Sequence, residues 1–518
     1  MKRALHLYCL LAALSFTTVL TAQTTNPFFR HIPSDADQVY HINLAALGSK
    51  LSWSDISGMI PPPKGATDQE MMKYVNDPSL TGIDFHQGLV IAVGHLAKNT
   101  DSPSCITIMA QLSDSGKLMS LVRSATKGLH TFKLPGKVSV AGKEKMAVAW
   151  NDKMAVVTII IAPKSQQTAT GTAMVSSSYY TLTAAKKSAA ALEGFTNSTY
   201  TTNATFINGF SDDADLHIWA PQGSIMKQLS EMSKKKNPVK IKVPTWNSQL
   251  YSLSALRFDA GRITFHTTTI IPPDSAEVYK FYNSRPLNTD LITHIPDKAI
   301  LGMVNTHFDP LMIKSTIERY HLRPIFDSLL SSKGLSIDDI LKVPKGDFLV
   351  AATHPNQIPD TGKVEPNFYF VATIADLGAL MKVAGKLGLS QDSLNAMGKK
   401  IGFTLKNNIL VIGRKGQTES FFSTNNPANL NLVNDGVRNS VFSMVLDIKA
   451  VSAYLKASQR GDEGSSRKAQ QILHFMSALD HMTVTTGSYH NGILESNFEL
   501  TMTDPSQNSL RSLFNLLH

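Results

Sequence analysis

The sequence predicts an α+β fold: two homologous tandem lobes, each a largely antiparallel sheet with helices packed on one face. Three observations predict it. A set of short motifs returns after about 262 residues, and a repeat is the first signal to look for because it organises everything else. Hairpin signals recur in both halves, and stretches of helical period alternate with short β-branched runs.

Met1, Lys2 and Arg3 precede an uncharged stretch to Ala22 that holds Leu10, Leu11, Leu14, Val19 and Leu20. A basic start, a short apolar run and a small-residue exit are the marks of a secretory signal peptide, so residues 1–22 are read as a signal cleaved after Ala22. The run is broken by Ser15, Thr17 and Thr18 and falls short of the roughly 20 apolar residues that span a bilayer. No cysteine stands at the junction, since Cys9 comes too early, so the signal is not of the lipid-anchored kind.

His31-Ile32-Pro33-Ser34-Asp35 then opens the first lobe and returns as His294-Ile295-Pro296-Asp297. Each is followed by an apolar strand and an asparagine, Val39 to Ile42 with Asn43 and Ile300 to Val304 with Asn305, the asparagine suited to cap a helix. An ungapped match follows, in which Ile106 to Met119 aligns with Phe368 to Met381. It reads as a buried strand, then Asp114 or Asp376 capping an amphipathic helix. Hairpins are expected around Asn151-Asp152 and Asn407-Asn408, and later around Asp259-Ala260-Gly261 and Asn491-Gly492, residues that tolerate the left-handed turn conformation. Leu216 to Trp219 and Phe442 to Leu446 form a further pair of strands, and helices close both halves, the last over Ser509 to Leu517. The lobes are thus 23–285 and 290–518. The first carries a Ser/Thr-rich insertion at about 163–212 with little periodicity, read as surface loop, with sequons at Asn197 and Asn203.

Composition narrows the class. Of 518 residues 42% are hydrophobic and 17% charged, which excludes disordered and coiled-coil chains. Residues 1–22 hold two of the 50 basic residues and none of the 40 acidic ones, so the net charge of +10 falls to +8 on cleavage. Part of the excess sits at Lys234, Lys235 and Lys236, a candidate for peripheral contact with an anionic surface, with a solvated basic loop the simpler reading. An exported chain rarely meets nucleic acid, and none is expected as a partner. Cleavage leaves Cys105 as the one cysteine, so no internal disulfide can form, and its apolar neighbours make it a buried small hydrophobe.

The signal ending Thr21-Ala22-Gln23, the opening Ile32-Pro33-Ser34-Asp35-Ala36 with Asn43, Gly82-Ile83-Asp84 ahead of Leu89 to Val93, and the restart at Ile295-Pro296-Asp297 together resemble an uncharacterised family of exported Bacteroidetes proteins, a domain of unknown function. The resemblance covers nearly all of the chain after the signal. It implies export and a place in the cell envelope, periplasmic or outer-membrane-associated/extracellular, and the family has no assigned activity, so it carries over no catalytic residue. Many members look like lipoproteins, and this chain departs from them at the missing junction cysteine.

The sequence offers no catalytic, cofactor-binding or metal-ligating set. Zinc peptidases need two histidines one helical turn apart around a glutamate, whereas His41, His86, His95, His217 and His266 are scattered singly. Asp212-Asp213-Ala214-Asp215 could attract Ca²⁺, but the EF-hand positions for glycine and the bidentate glutamate are held by Ile218 and Ser224, and a solvated turn fits better. Ser124 with Lys127, and Ser465 with Lys468, match Ser-x-x-Lys without the elements that accompany it in penicillin-recognising enzymes. Asp84 with Asp338 or Asp339 is a weak pairing for glycoside hydrolysis. The reading is therefore an exported envelope protein of non-enzymatic binding or structural role, with an envelope protein or glycan as partner. The alternative is an exported hydrolase with an unrecognised site.

Overall fold

Strands form where apolar residues alternate or run together, and in the computed structural model these build a mixed α/β protein with extensive antiparallel sheet. The structure describes residues 26–52, 55, 73–74, 76–94, 104–125, 130–132, 138–161, 177–196, 199–221, 250–273, 276–280, 286–296, 299–319, 322–354, 366–388, 401–414, 416–458 and 467–517. The chain divides into two units, residues 1–224 and 225–518. Among the described residues no helix is long and apolar enough to cross a membrane.

The first unit holds β1 (Ala36–Ile42), β2 (Leu89–Gly94), β3 (Ser104–Gln111), β4 (His130–Phe132), β5 (Ser139–Lys143), β6 (Met146–Trp150), β7 (Met154–Ile161) and β8 (Leu216–Pro221). All its ladders are antiparallel, in the order β4-β5-β6-β7-β3-β2-β1-β8. The β-branched run expected as a buried strand is β7, which is central in this order. Asn151 closes the β6–β7 turn as expected, its side-chain oxygen accepting from the backbone N–H groups of Lys153 and Met154.

The insertion read as surface loop is in part a core element. Ser177–Glu193 is a 17-residue helix in which Ala184, Ala185, Ala189, Ala191 and Leu192 are buried. It packs on β5, β6 and β7, and the Ser188 hydroxyl donates to the Ala147 carbonyl at 3.1 Å. The alanines allow close approach to the sheet, and the Ser and Thr residues that hide the apolar period mostly bond back to backbone. Asn203, the asparagine of one sequon, caps the helix Ala204–Gly209 through the Phe206 N–H. Asn197 lies outside the described residues, as do Lys234, Lys235 and Lys236.

The second unit holds β9 (Tyr251–Asp259), β10 (Arg262–Ile270), β11 (Ala299–His307), β12 (Pro344–His354), β13 (Asn367–Ile374), β14 (Ile401–Lys406), β15 (Ile409–Arg414), β16 (Phe442–Asp447), β17 (Leu479–Thr486) and β18 (Ile493–Met502). Its ladders are also antiparallel, in the order β9-β10-β18-β17-β16-β11-β12-β13-β15-β14. The expected hairpin turns are present: Asn407, Asn408, Asn491, Gly261 and Gly492 all have positive φ. The core gathers Ile292, Ile295, Met303, Leu349, Tyr369, Val371, Val411, Phe421 and Val445.

Two expectations change here. The hairpin β9–β10, placed by sequence in a first lobe ending at 285, belongs to the second unit, because β10 pairs with β18 from Arg262↔Thr501 to Ile270↔Ile493. Asn305 is not a helix cap. Asn43 does cap Leu44–Lys50, through the Ala46 N–H, but β11 runs on past Asn305 to His307, and Asp309 accepts from the Leu311 N–H at the start of Pro310–Arg319. Asp376 caps Leu377–Lys386 as expected.

Candidate functional site

A cavity of about 540 Å³ lies in the first unit, within the size range of small-molecule sites. Four separate segments build it: the N-terminal stretch from Asn26 to His31, Gln111 at the end of β3, the β6–β7 turn with Asn151, Lys153 and Met154, and Thr201 of the short helix Thr199–Thr202. Phe29, beneath the first segment, packs edge-on against Phe206 and Phe210, with ring centroids 5.0 and 5.9 Å away. This aromatic cluster fixes the N-terminal segment against the unit.

His31 organises the cavity's chemistry. It is buried, its Nδ1 donates to the Ala191 carbonyl at 2.8 Å, and its Nε2 accepts from the Arg30 Nε at 2.9 Å. Burial holds the imidazole below its ordinary pKa, opposed by the carbonyl bond, with the Arg30 charge acting in the same direction as burial. Both ring nitrogens are engaged, so His31 positions Arg30 and is not free to take a proton from a ligand. Arg30 and Lys153 are exposed, and the residues lining the cavity include no carboxylate.

Each unit also carries a buried histidine at the end of a strand, His41 on β1 and His307 on β11. In the first, the Nδ1 atoms of His41 and His217 lie 3.3 Å apart with their rings stacked, and His217 Nε2 bonds the Asp212 carboxylate. In the second, His307 Nδ1 donates to Asp347 Oδ1 at 2.8 Å, and Asp347 Oδ2 accepts from the Thr373 hydroxyl at 3.0 Å. A glycine of positive φ lies against each: a Cβ on Gly88 would come within 2.8 Å of His41 Nε2, and one on Gly346 within 2.9 Å of His307 Cε1. These pairings across 176 and 40 residues are what sequence reading missed.

Beside His307, Asn305 faces Ser443 across the β11–β16 ladder, both fully buried. Neither the Asn305 amide nor the Ser443 hydroxyl has a hydrogen-bond partner among the described residues. An unsatisfied buried amide costs about 1–3 kcal/mol. Asn305→Leu is therefore expected to leave stability unchanged or raise it by about 1 kcal/mol in urea denaturation. A loss of more than about 2 kcal/mol would show that the amide is engaged.

The remaining sequence candidates have other partners within their own units or lie outside the described residues. His86 is exposed, His266 Nδ1 pairs with Asn497 at 2.6 Å, and His95 lies outside the described residues. Asp215 is ion-paired with Lys50 at 2.5 Å, and among the described residues no group of three or more His, Cys, Asp or Glu is arranged to hold a metal. Asp84 accepts from the His86 N–H in its own turn. Asp338 pairs with Lys314 and Arg323, while Asp339 pairs with Lys382 at 2.6 Å, which holds its carboxyl down to about 2. Ser124 bonds backbone carbonyls of its own helix and the Tyr74 hydroxyl, while Lys127 and Ser465 lie outside the described residues. Burial pushes the Cys105 thiol up, away from the reactive thiolate form.

The fold and the cavity define a mixed α/β protein with a polar, basic pocket in its first unit. No protein-family model matches the sequence, and no curated protein matches it. Among solved structures it is similar to TP0453 in crystal form IV, at 12% identity and a TM-score of 0.28, over 50% of this chain and 85% of that one. Crystal form III of TP0453 gives 10% identity and a TM-score of 0.27, over 47% and 80%.

Proposed function

We propose that this is an exported cell-envelope protein made of two homologous lobes, and that it binds its ligand, an envelope glycan or macromolecule, without converting it. The signal-like residues 1–22 support export. Two features support duplication. The strand order β8-β1-β2-β3-β7-β6 in the first unit is the order β16-β11-β12-β13-β15-β14 in the second. His41 against Gly88 likewise corresponds to His307 against Gly346, which places Asn43 opposite Asp309 as helix caps.

The observation that carries the binding reading is His31. It is the cavity's one histidine and is committed at both nitrogens, so the surrounding amides, hydroxyl and cations can hold a ligand while the ring offers it no general base. The test is equilibrium binding of the purified full chain to envelope polysaccharides, with the mixtures assayed for new reducing ends. Saturable retention of intact polymer is expected. Cleavage of the retained polymer would instead favour the hydrolase, and no retention at any salt concentration would overturn the proposal.

A further inference from the structure

From the charge and hydrogen bonding of the first-unit cavity we infer that it receives an acidic group, a carboxylate or phosphate on a small polar body, held between Arg30 and Lys153. This rests on the binding reading and specifies what is bound. The acidic charge is missing from the protein side: no lining residue is a carboxylate, and neither Arg30 nor Lys153 makes an ion pair among the described residues. Cations left uncompensated in a concavity concentrate positive potential there.

The arrangement of Arg30 is specific. Its Nε is fixed by His31 Nε2, and that ring is in turn fixed by the Ala191 carbonyl, a buried anchor on the helix Ser177–Glu193. The guanidinium is thereby held by one edge, leaving its two terminal nitrogens as a fork for the two oxygens of one acid group. The same bonds require His31 to be neutral, so it orients the cation without adding a repelling charge or competing for the ligand. Lys153 is carried on a tight turn whose backbone is tied by Asn151 Oδ1. Around the two cations, Asn26, Gln111 and Thr201 are suited to hydroxyls, and Phe29 and Met154 to the apolar face of a ring.

The experiment is calorimetric titration of the full chain with three probes: a galacturonate oligosaccharide, inorganic phosphate, and a neutral galactose oligosaccharide of the same length. At least one acidic probe is expected to bind, more weakly as salt rises, and the two acidic arms separate carboxylate from phosphate. Arg30→Gln and Lys153→Gln should each weaken that binding about tenfold or more, and Arg30→Lys, which keeps the charge and loses the fork, should restore only part. Both side chains are exposed, so unchanged thermal melts will show that the variants are folded. If neither acidic probe binds, or if the glutamine variants bind it unchanged, the inference is overturned. Binding of the neutral probe alone would remove the acid preference and leave the binding protein standing.

Discussion

Asp347→Ala is expected to destabilise the second unit by about 3 kcal/mol or more, the scale for leaving two buried hydrogen-bond donors without an acceptor at about 1–3 kcal/mol each. Asp347 is 1% exposed and makes three hydrogen bonds to two side chains: its carboxylate accepts from His307 Nδ1 and the Thr373 hydroxyl, and its own N–H donates to the Thr373 hydroxyl oxygen. Truncation leaves the imidazole N–H and the Thr373 O–H without an acceptor in a place water does not reach, and the desolvation cost of each stays in full. Gly346 adds rigidity, because its φ of +124° and the Phe308 carbonyl, 2.2 Å from where a Cβ would lie, leave the strand entry no room to readjust. Asp347→Asn keeps one acceptor and the shape, and should cost less than half as much. Hydrogen exchange over β11 and β12 under native conditions measures both. A loss below about 1 kcal/mol for the alanine variant would mean that the pair is solvated or dispensable.

The contrast between β7 and this pair explains what the sequence could disclose. Met154–Ile161 is legible because β-branched residues favour strand locally, and the turns at Asn151, Asn407-Asn408 and Asn491-Gly492 because positive φ is a single-residue property. The cap at Asn43 was legible for the same reason. Its partner was misassigned to Asn305 because nothing local says that β11 continues to His307. The Ala-rich helix Ser177–Glu193 was obscured by Ser and Thr, and it is the sheet beneath it that selects the alanine face. Pairing over distance is invisible in one sequence. The β10–β18 ladder that assigns the hairpin to the second unit, the His41–His217 contact and a cavity assembled from residues 26–31, 111, 151–154 and 201 all depend on which segments meet, and no spacing encodes that.

The first unit should lose stability on acidification between about pH 6.5 and pH 4, and His41 should account for much of the loss. Burial, reinforced by the charge of His217, lowers the His41 pKa to about 4, against an ordinary value of 6.5. A base with a depressed folded-state pKa takes up its proton first in the unfolded chain, so in this window the unfolded state binds more protons and stability falls as the pH falls. Above pH 6.5 the ring is neutral in both states, and below about 4 it is charged in both, so the contribution is confined to the window and totals about 3 kcal/mol. His31, lowered by the same cause, adds to the loss with the same sign. Phe210 packs against both rings, Asp212 bonds His217, the nearby Asp215 is tied to Lys50 and His41 Nε2 faces Gly88, so among the described residues no carboxylate bonds His41 itself. His41→Phe keeps the ring packing against Phe210 and removes the titration. Urea denaturation followed by the fluorescence of the buried Trp150 and Trp219, near pH 7 and near pH 4.5, should show a clearly shallower pH dependence in the variant. Equal dependence in the two proteins would mean that His41 reaches water in the folded state, and the buried ring stack would then not be what makes this unit acid-sensitive.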